Sequence, residues 1–266
     1  MQVRKVSPMN KLLIQIIYIS LMLFGGVSCQ TDTGAKEPTH NSIDNKFIAS
    51  NTSNNEVLVE RTDTLSLKIL YPRFSKIDLV CGTMPSQKDT AVLLCAAGSY
   101  TGKLQETFNH SNIAGDHVSN GQRYRGYSCR RNTGAFVYYN GQWKFLYQDY
   151  SAELNEAASH GGCGFAQEMI IHHNDTMPTT RRNSNTNIFR ALCQLDGRLC
   201  VIESYSAITF GAFKSSLMAL KVSEALYTDM GSGWNHAWYR VSNDSVNILH
   251  PKIHNYCTNW ITFYRE

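Results

Sequence analysis

The stretch Leu226-Tyr227-Thr228-Asp229-Met230-Gly231-Ser232-Gly233-Trp234-Asn235 takes the chain from an apolar run straight into a glycine-rich turn. Just upstream, Phe210, Phe213, Leu217 and Leu220 recur at helical spacing and predict a helix over 209–224, while 225–228 reads as a short strand. Asp229 therefore leaves a strand directly into glycines. Glycine accepts positive φ and close approach of a ligand, so the arrangement offers a carboxylate beside accessible amides on a rigid element. A plain tight turn, with Asp229 capping backbone amides, uses the same residues.

Working outward, the upstream half is strand-rich. Residues 57–60, 65–71 and 77–81 read as strands, and the unbroken apolar run 91–97 reads as a buried one. That run empties into Gly98-Ser99-Tyr100-Thr101-Gly102. A polar segment over 108–121 follows, dense in Asn, His, Asp and Gly, and reads as a long loop. Within it Asp116 and His117 are candidates for polar contacts or proton transfer. Asn140-Gly141 between two apolar runs predicts a hairpin, and so does Asp196-Gly197. A helix is expected over 152–159, ended by Gly161-Gly162. The expected fold class is α+β, with an antiparallel or mixed central sheet and helices packed on it.

Other candidates follow from residue type and setting. Glu168 sits in an otherwise apolar segment, and Glu203 lies near a strand end. Arg181, Arg182 and Arg190 border an Asn-rich loop; Arg190 is preferred because a strand would hold its planar fork rigidly toward a phosphate or carboxylate. His172-His173 has no third metal ligand at helpful spacing. After the glycine turn, Trp234, His236, Trp238 and Tyr239 read as an aromatic rim, then 247–250 as a strand and 260–264 as the closing one. Nucleotide, dinucleotide, serine-hydrolase and His-Glu-x-x-His fingerprints are absent.

The chain opens with basic Arg4, Lys5 and Lys11, an apolar run from Leu12 to Val27, and Ser28-Cys29. That pattern resembles a bacterial lipoprotein signal with Cys29 as the lipidated residue, so residues 1–28 are expected to be a signal peptide and the protein to be exported and lipid-anchored to the cell envelope. A plain secretory signal is the second reading, prompted by Gly26 where Leu is more usual. Residues 29–55 read as a polar tether and 56–266 as one folded domain. Without residues 1–28 the formal charge falls from +4 to +1. No basic tract survives to recruit nucleic acid.

Seven cysteines follow Cys29, an odd number, and no compact His/Cys set suggests zinc. Cys193 and Cys200 flank the Asp196-Gly197 turn and are candidates for a disulfide across the hairpin. No organic cofactor is expected. Carboxylates and Asn side chains leave calcium open as a ligand, without EF-hand spacing.

Ala96-Ala97-Gly98-Ser99-Tyr100, then Gly161-Gly162, then Arg190-Ala191-Leu192 with Asp196-Gly197, and finally Tyr227-Thr228-Asp229-Met230-Gly231-Ser232-Gly233-Trp234 occur in an order that resembles the phosphodiester glycosidase domain family, over roughly residues 90–265. The chain departs from the family pattern where Ala96 or Ala97 replaces a polar residue and where Met230 to Trp234 replaces repeated glycines. The resemblance implies a hydrolase acting on a sugar 1-phosphodiester in a phosphorylated glycan. On that reading Arg190 binds phosphoryl oxygens, Asp229 serves as nucleophile or base, and Glu168 or His117 assists proton transfer. Asp116, Gly98, Gly231, Gly233, Trp234 and Asn235 would border the substrate. The competing class is a surface-anchored glycan-binding or assembly protein on the same scaffold, with Trp234, Trp238 and Tyr239 as a stacking platform.

Overall fold

In the computed structural model, the described residues are 57–266 without 65, 103–106, 232–233 and 254–257. They fall in a single unit, Thr52–Glu266. The expectations for the signal peptide, Cys29 and the tether lie outside the described residues, as does Gly233.

Three antiparallel sheets carry the architecture. The largest orders its strands Val59–Asp63, Leu67–Pro72, Arg198–Ser204, Arg190–Leu195, Glu224–Tyr227, Met169–His172 and Asp175–Thr176. A second orders Ser245–Ile248, Ala237–Ser242, Val92–Ala97, Asn259–Tyr264 and Lys76–Cys81. The third orders Gln122–Tyr124, His117–Ser119, Cys163–Gln167, Gly134–Tyr139 and Gln142–Tyr147. Thr186–Asn187 and Ile208–Thr209 form a short separate ladder.

The expected α+β layering is corrected here: the fold is mostly antiparallel β, with two α-helices among the described residues, α1 at Ser151–Ser159 and α2 at Phe210–Ala219. The reason is visible in segments read as irregular. His117–Ser119 pairs with Cys163–Gln167 inside the supposed long loop, and the supposed aromatic rim contains the strand Ala237–Ser242. Strands this short, or with both faces buried, lack a clear alternating signature.

The hairpin at Asp196-Gly197 shows how sequence sets packing. Both residues have positive φ, 50° and 72°, the geometry that suits a two-residue turn to strand twist. In the resulting register Cys193 faces Cys200 and Arg190 faces Glu203. Period-two alternation then sends Leu192, Leu199 and Val201 toward the core shared with Leu94, Ala96 and Ile261 of the second sheet. Ala191, Cys193, Cys200 and Ile202 face the other way, onto α2.

Helix α2 begins where the Thr209 hydroxyl accepts the Ala212 N–H at 3.1 Å, and it buries Phe210, Phe213 and Leu217. Each such side chain contributes roughly 1.5–3 kcal/mol by leaving water. It stops before Lys221, which has φ of 61°, so the predicted helix ends short of residue 224. The chain then returns through Val222 to the strand that delivers Asp229. Helix α1 covers Val118 and Val137 of the third sheet with Leu154 and Ala157.

Candidate functional site

Two strand ends meet at the site. Val92–Ala97 runs out into Gly98, and Glu224–Tyr227 runs out toward Asp229. The Asp229 N–H donates to Gly98 O at 2.8 Å, and the Thr101 N–H donates to Asp229 Oδ2 at 3.0 Å. The first loop is held from behind by Asn259, whose Oδ1 accepts the Ser99 N–H at 2.7 Å and whose Nδ2 donates to Ser99 O at 3.0 Å. A Cβ on Gly98 would stand 2.7 Å from Asn259 Oδ1 and 2.9 Å from Leu79 Cδ1. Only glycine lets Asn259 and the loop approach this closely.

In front of these loops opens a cleft of about 450 Å³, bordered by Tyr100, Thr101, Arg131, Arg181, Asp229 and Trp234 among others. The Trp234 Nε1–H donates to Thr101 Oγ1 at 3.0 Å, which fixes the indole at the rim. Burial pushes the Asp229 carboxyl up to about 6, against the lowering effect of the Thr101 hydrogen bonds and of Arg181. The acid is thus ionised near neutral pH yet poorly solvated, which makes it a competent base or nucleophile.

Arg181 is locked by aromatic faces. Its guanidinium carbon lies 4.8 Å from the Tyr227 ring centroid, 5.6 Å from that of Phe210 and 5.8 Å from that of Phe189. Its NH2 reaches Tyr100 Oη at 3.5 Å, and the Tyr100 O–H donates to Glu168 Oε2 at 3.1 Å. The other Glu168 oxygen accepts from the Thr180 N–H at 2.8 Å and its hydroxyl at 3.0 Å. Glu168 is fully buried, so it sits behind the cleft, where it anchors Tyr100 and Thr180. Arg131 covers the Tyr100 ring at 5.8 Å.

The sequence candidates divide accordingly. Asp229, Gly231 and Trp234 line the cleft, Gly98 supplies the carbonyl that holds Asp229, and Glu168 reaches it through Tyr100. Arg190 stands apart. Its side chain is buried, paired with Glu203 through Nε at 2.9 Å and through NH2, and it donates to Asn235 O at 2.7 Å. Glu203 also accepts from Lys68 at 2.7 Å and meets His250 Nε2 at 3.0 Å. Burial raises that carboxyl, but Arg190, His250 and Lys68 outweigh it and hold it at about 2. Arg190 and Asn235 therefore belong to an internal ion-pair network, and the guanidinium in the cleft is that of Arg181.

Asp116 pairs with Arg123 at 2.7 Å, away from the cleft. His117 is buried against His110, and burial lowers its pKa to about 4, so it is neutral at physiological pH. Trp238 and Tyr239 are 1 % and 4 % exposed, which removes two members of the proposed stacking platform. His172-His173 does have a third partner in space, Glu224, with Nδ1 atoms at 2.8 and 3.2 Å. Cys193 and Cys200 are register partners, both buried and both free.

Sequence reading passed over Tyr100 and Arg131 as site residues, ranked Arg181 below Arg190, and missed Asn259. Asn259 carried one signal: it is a polar residue opening an otherwise apolar strand, where burial demands hydrogen-bond partners.

No family model matches the chain, and no curated protein matches it. Among solved structures, the fold is similar to that of the zebrafish N-acetylglucosamine-1-phosphodiester alpha-N-acetylglucosaminidase catalytic domain auto-inhibited by pro-peptide. The TM-score is 0.52 at 11% identity, over 79% of this chain and 82% of that chain. A hypothetical protein from Synechocystis aligns at 0.46 and 9% identity, over 78% of this chain and 61% of that one, too weak a likeness to support a shared fold. The relationship is thus one of distant fold.

Proposed function

We propose that the cleft hydrolyses the bond between an anomeric carbon and a phosphodiester oxygen in a phosphorylated glycan. The observation that carries this reading is the charge of the cleft: one poorly solvated carboxylate, Asp229, feels the Arg181 guanidinium and shares the lining with Arg131 and Trp234. Phosphate is a good leaving group, so departure needs little help from a general acid. It does need cationic groups to receive the developing negative charge, and Arg181 is held rigid for that purpose by its aromatic cage. Asp229 meets the oxocarbenium-like carbon or activates the water that attacks it. Water then supplies hydroxyl to the sugar, and its remaining proton goes to the one released phosphomonoester. Trp234 offers an apolar face to the sugar ring.

The distant fold likeness to a phosphodiester glycosidase supports this reading without deciding the substrate. An extracytoplasmic glycan is the proposed substrate setting, supported by the basic-then-apolar opening through Cys29, with membrane association through that N-terminal lipid alone.

The test is release of sugar and phosphomonoester from a panel of glycosyl 1-phosphodiesters by the parent, Asp229→Asn and Arg181→Ala. Release by the parent, lost in both variants, is expected. Undiminished turnover by Asp229→Asn would overturn the assignment. Saturable binding across the panel without release would replace it with a glycan-binding role.

A further inference from the structure

Cys81, His110 and His117 come together from three separate elements, and none of the three lines the cleft. Cys81 ends the strand Lys76–Cys81, His110 opens the 3-10 turn His110–Asn112, and His117 begins the strand His117–Ser119. Their Sγ and ring nitrogens all lie within 4.8 Å of one another, with Cys81 and His110 part-buried and His117 fully buried.

The two imidazoles are already oriented as ligands. His117 Nδ1 lies 3.1 Å from Gly115 O, so Nδ1–H donates to that carbonyl and the Nε2 lone pair points at His110 Nδ1, 2.9 Å away. A backbone carbonyl on the distal ring nitrogen is the usual companion of a metal-bound histidine, because it fixes tautomer and ring plane. His110 is fixed from the other sides: its ring stacks on Tyr124 at an interplanar angle of 6°, Phe108 packs edge-on, and the Asn109 side chain caps its turn through the Ser111 N–H at 2.9 Å. Neither ring needs to be ordered when an ion arrives.

We propose that Cys81, His110 and His117 bind a zinc-type divalent cation as Cys-His-His, with water as the fourth ligand. Thiolate and imidazole donors select zinc over the hard, all-oxygen calcium considered from composition. Tetrahedral zinc sets ligand atoms roughly 3.3–3.6 Å apart, so the nitrogens part by a few tenths of an ångström and the sulfur closes in by about an ångström or less. On binding, the Cys81 thiol proton leaves to solvent. The His110 Nδ1 proton is replaced by one on its Nε2, and the ion occupies the space of the His–His hydrogen bond. One proton is released per ion.

The site ties the 107–117 segment to the second sheet. That segment supplies Ala114 to the cleft lining, its carbonyl accepts the Ser99 hydroxyl at 2.7 Å, and Asn112 O accepts the Gly102 N–H at 2.6 Å. The ion thus acts as a staple beneath the loop that holds Asp229. This inference is independent of the reaction proposed for the cleft.

The test uses the full chain, stripped with chelator under reducing conditions and titrated with cobalt(II), then zinc(II). One equivalent of cobalt should bind with a thiolate-to-metal charge-transfer band and tetrahedral visible bands, and zinc should abolish both. Cys81→Ser, which conserves volume, should lose the charge-transfer band while keeping the parent's circular dichroism. His117→Gln should weaken binding by a hundredfold or more, and His172→Gln should bind as the parent does. Absence of saturable binding, a spectrum without the thiolate band, or a band that survives Cys81→Ser would each overturn the proposal.

Discussion

Replacing Asp229 by Asn should make the protein more stable at neutral pH while abolishing turnover. The carboxyl shifts from 3.8 to about 6 on folding because burial strips its hydration. Each pKa unit is about 1.4 kcal/mol, so 2.2 units correspond to roughly 3 kcal/mol, reduced to about 1–3 kcal/mol because the group still borders the open cleft. The sign follows from proton counting. Between the two pKa values the unfolded chain has lost the proton and the native state still holds it, so stability falls as pH rises through that window. The penalty is complete above about pH 6 and nearly gone, at about 0.5 kcal/mol or less, by pH 4. Asn keeps an oxygen to accept the Thr101 N–H and carries no charge to desolvate. Urea unfolding of parent and variant at about pH 7 and pH 4 measures the difference, with the larger gap expected at neutral pH. A variant no more stable than the parent at pH 7, or an advantage that does not shrink in acid, would refute the claim that this acid is held in a strained electrostatic setting.

The acidic limb of kcat/KM should fall with a midpoint near 6, because the proposed reaction needs Asp229 ionised; a midpoint near 4 would show a solvated carboxylate. Arg181→Lys should lower kcat by about 10²-fold or more, since an ammonium cannot lie flat against the Tyr227, Phe189 and Phe210 rings, and single-turnover rates report it. Glu203→Gln should cost about 3–5 kcal/mol in urea by leaving Arg190 buried without a counter-charge. A loss below about 1 kcal/mol would show that Arg190 does not depend on Glu203 as its counter-charge. Gly98→Ala should cost about 1–3 kcal/mol through the clash with Asn259 and Leu79, and should also depress turnover by shifting the loop that holds Asp229.

How far sequence reaches depends on distance along the chain. The setting of Asp229 was legible because its strand, its glycines and its helix are neighbours in sequence, and the hairpins were legible from Asn140-Gly141 and Asp196-Gly197. Choosing Arg190 over Arg181 applied a sound rule to a residue that the fold buries and pairs away from the cleft. A strand does hold Arg190 rigidly, but alternation places it on the face of Leu192, toward the inter-sheet core, where Glu203 and the Asn235 carbonyl meet it. Arg181 sits in an aperiodic loop and becomes the rigid cation only through Tyr227, Phe189 and Phe210, contacts made by tertiary packing. The α+β expectation failed because short strands such as His117–Ser119 carry too few residues to display a period. Cys81, His110 and His117 follow no ligand-spacing rule and meet only when the third sheet docks on the second.

The strand Asn259–Tyr264 lies inside its sheet, between Lys76–Cys81 and Val92–Ala97. Those two strands are therefore joined in the sheet only through residues 259–264. Every shorter nascent chain exposes two apolar hydrogen-bonding edges and lacks Asn259, the residue that clamps the Ser99 loop. Such long-range closure makes folding slow and late, a kinetic delay built into the topology. The sheet and the cleft are thus completed in one event, because the strand that fills the sheet also brings the clamp of the Ser99 loop.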